Sequence, residues 1–75
     1  MTIKQLIEIL SKLPPDSPIV LSSDSEGNSF SPLSDTSFGL YLATSTHSGE
    51  YYAKEERNDL EGENVIDCVC LWPTN

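Results

Sequence analysis

TIKQLIEILSKLPP, residues 2–15, decides how the rest of the chain is read. Thr2 followed by Gln5 has the form of a capping box, and Ile3, Leu6, Ile7, Leu10 and Leu13 recur at the spacing of one helical face. Lys4, Gln5, Glu8, Ser11 and Lys12 fall mainly on the other side, with Glu8 and Lys12 an i,i+4 pair in the favourable order. Pro14 and Pro15 stop the helix, because the residue before a proline is pushed out of the helical region and the ring removes a donor. The pattern predicts an amphipathic helix over the first thirteen residues, ending near Leu13.

Beyond the Asp16-Ser17-Pro18 turn the periodicity changes from helical to β. Ile19-Val20-Leu21-Ser22 is short, apolar and bounded by turn residues, which predicts a first strand. Asp24-Ser25-Glu26-Gly27-Asn28 has turn composition, and Gly27 and Asn28 both tolerate positive φ. Pro32 is expected to limit any strand around Phe30, so the second strand is placed where Phe38, Leu40 and Leu42 alternate with Gly39 and Tyr41. Glu50-Tyr51-Tyr52-Ala53 offers a short third strand. EERNDLEGE, residues 55–63, holds five carboxylates and one large apolar side chain and reads as a solvated loop. Val65 to Trp72 is nearly continuously apolar, which suits a central strand, and Pro73 ends it.

One helix followed by several strands joined by short polar turns predicts an α+β single domain over residues 1–75, the helix packed on a mainly antiparallel sheet of about four strands. The expected core is Leu6, Ile7, Leu10 and Leu13 against Ile19, Leu21, Phe38, Leu40, Val65, Val69 and Leu71. At 75 residues and 37% hydrophobic content the chain has little material for a core, and self-association is one usual remedy.

Twelve acids against four bases give a net charge of −8. Such a field repels phosphate backbones and anionic membrane surfaces and attracts basic protein surfaces, so direct nucleic-acid binding is not expected. The first residues do not read as a secretory leader and no apolar run is long enough to span a bilayer, so a cytoplasmic protein is expected.

No constellation in the chain specifies catalysis or a cofactor. His47 has serines nearby at Ser45 and Ser48, but neither a nucleophile elbow nor a glycine-rich oxyanion loop accompanies it. Cys68 and Cys70 lie one residue apart, on one face of a strand, and fall short of the four ligands of a structural zinc site, so reduced thiols are expected. Asp24, Glu26 and Asn28 alternate like the start of a calcium loop, yet the glycine comes too early and no glutamate closes the pattern. The acidic stretch is left as the surface feature with functional content. The candidate binding residues are Asp24, Glu26, Glu50, Tyr51, Glu55, Glu56, Asp59, Glu61 and Glu63, with Tyr52 and Trp72 as further aromatic anchors where exposed.

The segment KQLIEILSKLPPDSPIVLSSDSEGNSFSPLSD together with the terminal VCLWPTN resembles a set of small acidic proteins of tailed bacteriophages and prophages. Leu13-Pro14-Pro15-Asp16, Glu26-Gly27-Asn28 with Phe30-Ser31-Pro32-Leu33, Gly49-Glu50-Tyr51 and Leu71-Trp72-Pro73 carry the likeness. It implies a phage origin and a place in the host cytoplasm, and it brings no catalytic residues with it. A phage origin makes the first expectation an accessory protein that binds and inhibits a host protein with a basic surface, such as a defence or DNA-processing factor, through an acidic face that mimics DNA. One alternative is a protein that sequesters a small nucleotide signal, which calls for a concave, basic or aromatic pocket. The other is a structural or assembly component of the virion, which calls for a large apolar self-interface.

Overall fold

A computed structural model describes residues 1–74. It contains one N-terminal helix and an open antiparallel sheet of four strands, an α+β arrangement. Strand β2, Phe30–Ala43, is the hub of the sheet. Strand β1, Val20–Ser22, pairs with its first residues, β3, Gly49–Tyr52, pairs with its last, and β4, Ile66–Pro73, also pairs with it. The chain gathers into two compact units, one of Met1–Asp35 with the residues from Pro73, the other of Thr36–Trp72.

In the first unit, helix α1, Ile3–Leu10, starts as its sequence dictates. The Gln5 backbone N–H donates to Thr2 Oγ1 at 3.1 Å, and the Thr2 N–H donates to Gln5 Oε1 at 2.7 Å. The helix ends at Leu10, three residues short of the expected boundary. Because Pro14 disfavours the helical conformation at Leu13, the chain tightens into i→i+3 bonds, from Lys12 N to Ile9 O and from Leu13 N to Leu10 O. Lys12 therefore leaves the i,i+4 geometry, and no ion pair joins it to Glu8 among the described residues.

The turn between β1 and β2 is built on Asp24. Its Oδ1 accepts from the backbone N–H of Glu26 and of Asn28, its Oδ2 accepts from Asn28 Nδ2 at 2.7 Å, and Gly27 takes φ +73°. Contrary to expectation, β2 runs unbroken through Pro32. The Val20↔Pro32 position lies beside the hydrogen bond from Leu33 N to Ile19 O, where an antiparallel ladder asks β2 for no donor toward β1. The missing N–H therefore costs that ladder nothing, and the Pro32 carbonyl accepts from Thr74 N at 3.1 Å.

In the second unit, Leu40 is fully buried and the β2–β3 hairpin is locked by two glycines. Tyr41 and Tyr51 face each other across the strands. The Tyr51 side chain lies over Gly39 and that of Tyr41 over Gly49, so that a Cβ at either glycine would stand 2.5 Å from a tyrosine hydroxyl. Two expectations are corrected in this unit. Residues 55–63 were expected to be a loop, but most of them lie in a 3₁₀ helix, Lys54–Leu60, started by Glu56 reaching back to accept from the Ala53 N–H at 3.0 Å. Strand β4, expected to be central, pairs with β2 alone, because the fourteen-residue β2 takes every pairing partner along its own length.

Of the expected core, Leu40 alone is buried and Leu6, Leu21 and Val65 are half-buried. Ile7, Leu10, Leu13, Ile19, Phe38, Val69 and Leu71 keep 37% to 60% of their surface exposed. Each unit has fewer than 40 residues, too little chain to cover an apolar face and close a core by itself.

Candidate functional site

Side chains alternate along a strand, so the register Leu40↔Tyr52 and Leu42↔Glu50 puts Phe38, Leu40 and Leu42 on one face with Glu50 and Tyr52. The 3₁₀ helix lies against this face. Lys54 Nζ stands 4.8 Å from the centre of the Phe38 ring, a cation–π contact, and Arg57 Nη2 donates to Asp67 Oδ1 of β4 at 2.6 Å. Both bases of Thr36–Trp72 are thus engaged within the unit, in contacts that stay exposed to solvent.

The carboxylates are arranged differently. Tyr52 donates its hydroxyl hydrogen to Glu50, and its pKa is raised above the usual tyrosine value, first by that hydrogen bond, then by desolvation, and then by the charges of Glu50, Glu56 and Glu63. Glu50 bonds that hydroxyl, and Glu56 and Glu63 act on it through their charge. Glu55, Asp59, Glu61 and Glu63 are exposed, and their carboxylates make no hydrogen bond or ion pair among the described residues. An open depression of about 390 Å³ between the 3₁₀ helix and Val65 is bordered by Leu60, Glu61 and Glu63, with Arg57 beside it already engaged by Asp67.

Of the residues singled out by sequence, Glu50, Glu55, Glu56, Asp59, Glu61 and Glu63 share the second unit, while Asp24 and Glu26 belong to the first. Asp24 is committed to its turn, and hydrogen bonds from the Asn28 side chain and backbone, with smaller ones from Glu26 and Gly27, hold its carboxyl below the usual aspartate value. Tyr51 is half-buried. Its hydroxyl shares a 2.7 Å hydrogen bond with Ser37 Oγ, and its ring meets Trp72 edge-on at 5.8 Å. Trp72 Nε1 donates to the same Ser37 Oγ at 2.7 Å. The pair braces the opposite face of the sheet.

Lys54, Arg57 and Asp67 carry structural parts of the site that sequence reasoning passed over, and Tyr52, named there as an aromatic anchor, bonds Glu50. The i,i+2 placement of Glu50 and Tyr52 in one strand was the available signal for that bond. His47 lies in the hairpin turn, its backbone N–H donating to Ser45 Oγ, and Cys68 and Cys70 are half-buried free thiols. No helix among the described residues is long and apolar enough to cross a membrane. Comparison with known proteins finds no matching family model, no matching curated protein and no matching solved structure.

Proposed function

We propose that this chain is a phage accessory protein that binds a host protein and blocks its basic, phosphate-reading groove with the acidic face of residues 50–63. One observation carries the reading. The two bases of that region are spent on holding the 3₁₀ helix to the sheet, while Glu55, Asp59, Glu61 and Glu63 point into solvent without an internal partner. Carboxylates presented in this way on a braced segment resemble a row of backbone phosphates in charge, and they steer association with a basic surface. The same charge repels nucleic acid itself.

The test is a capture from host lysate by the tagged chain at low and at high salt. A nucleic-acid enzyme or defence factor retained at low salt and released at high salt supports the reading. Recovery of the same protein by a variant with Glu55, Asp59, Glu61 and Glu63 changed to Gln or Asn contradicts it. A second reading, a structural or assembly component, draws on the exposed aliphatic side of α1. It expects the chain to co-sediment with phage particles.

A further inference from the structure

Cys68 and Cys70 take no part in the acidic face, and β4 sets them on one side of the strand. Burial alternates there, with Cys68 and Cys70 half-buried and Asp67, Val69 and Leu71 exposed. Trp72 has the phase of the cysteines, and its indole N–H donates to Ser37 Oγ while its ring meets Tyr51 edge-on. The two thiols therefore lie on the sheet face that carries Trp72, Ser37 and Tyr51, whereas Asp67 on the other side pairs with Arg57. Neither thiol has a hydrogen-bond partner among the described residues.

Spacing decides what two such thiols can do. Residues two apart in a strand have Cα atoms about 6.6 Å apart and side chains nearly parallel, while a disulfide needs Cβ atoms within about 4.5 Å of each other. The two cannot close a disulfide on one another while β4 keeps its extended form. A metal ion bridges a wider gap. Thiolate bonds to a filled-shell ion such as zinc are about 2.3 Å long, so a linear two-coordinate ion asks for sulfurs about 4.6 Å apart. Each side chain reaches that separation by leaning about 1 Å toward the other through rotation at χ1. Zinc itself is not served, because its structural sites take four ligands and no third histidine, cysteine or carboxylate joins the pair among the described residues. Two thiolates alone suit a soft monovalent ion, and the biological member of that class is copper(I).

We propose that Cys68 and Cys70 form a two-coordinate thiolate site for copper(I). Each thiol gives up its proton as its sulfur bonds the ion, so one cation enters, two protons leave and no electron is transferred. Trp72, two residues beyond Cys70 on the same face and held by Ser37, sets an aromatic side chain next in line and offers no competing ligand. The net charge of −8 favours the entry of a cation.

Titration of the reduced full chain with copper(I), kept anaerobic and read against a chromophoric copper(I) chelator, tests the proposal. One ion per chain is expected, with an ultraviolet thiolate-to-copper band and protection of both thiols from iodoacetamide. Binding should strengthen as pH rises, because protons are released. Cys68→Ala and Cys70→Ala should each lose the complex while keeping the far-UV spectrum of the parent, and His47→Ala should bind as the parent does. If an alanine variant fails to fold, the stoichiometry and thiol protection of the parent decide. No uptake, one ion shared between two chains, thiols left open to alkylation, or uptake as tight without either cysteine overturns the proposal.

Discussion

Tyr52 reports on the acidic face more directly than any carboxylate in it, because its proton is held by Glu50 and by the charges of Glu56 and Glu63. An ultraviolet titration should therefore show a tyrosine ionising above the ordinary value of about 10, and Glu50→Gln should bring that step down. A raised pKa favours the folded state below the unfolded tyrosine's pKa, and the benefit is lost as pH rises through the folded value. The parent should accordingly lose more stability than Glu50→Gln between neutral and strongly alkaline pH. Asp24 has the opposite sign. Its depressed pKa favours folding above the ordinary aspartate range, and the contribution disappears as pH falls through the folded value. Carboxyl NMR should place Asp24 low, and Asn28→Ala should move it up. Gly39 tests the hairpin lock, since a Cβ there would stand 2.5 Å from the Tyr51 hydroxyl and 2.6 Å from the Tyr52 carbonyl oxygen. Gly39→Ala should cost about 1–3 kcal/mol in a thermal or urea melt. An unchanged melt would show that the tyrosines are free to move aside.

Among the elements, those with strong local signals were legible before any coordinates. The Thr2–Gln5 capping box and the Asp24–Asn28 turn are each written in contiguous residues and form as read. Long-range pairing was less visible. Pro32 looked like a strand breaker because its harmless position depends on Ile19 and Leu33, and the phase of that ladder cannot be read from the residues around the proline. The acidic run looked unstructured because its contacts come from elsewhere in the sequence, Lys54 over the Phe38 ring and Arg57 paired with Asp67 at the surface. The candidate acids themselves were legible from composition, while the burial of Tyr51 against Ser37 and Trp72 was not. The helical stripe predicted Leu10 as core, yet it is 39% exposed while Leu40 is sealed. Leu40→Ala should then cost about 2–5 kcal/mol in chemical melts, and Leu10→Ala clearly less. Equal losses would mean that α1 is buried.

For the whole molecule, the charge is unevenly distributed. Glu50, Glu55, Glu56, Asp59, Glu61, Glu63 and Asp67 fall in the second unit, and the bases there, Lys54 and Arg57, are occupied. Glu56 and Asp67 have structural duties, as a cap and as the partner of Arg57. The outward-facing Glu55, Asp59, Glu61 and Glu63 can be neutralised without removing either duty, so binding and folding are separable by mutation. The decisive measurement is the affinity of parent and of the Glu55→Gln, Asp59→Asn, Glu61→Gln, Glu63→Gln variant for the captured host protein, at low and high salt. We expect the melt to change little, association to slow, and the salt dependence of affinity to flatten in the variant. Equal affinity of the two chains at both salt concentrations would contradict the account and remove the acidic face from the binding site.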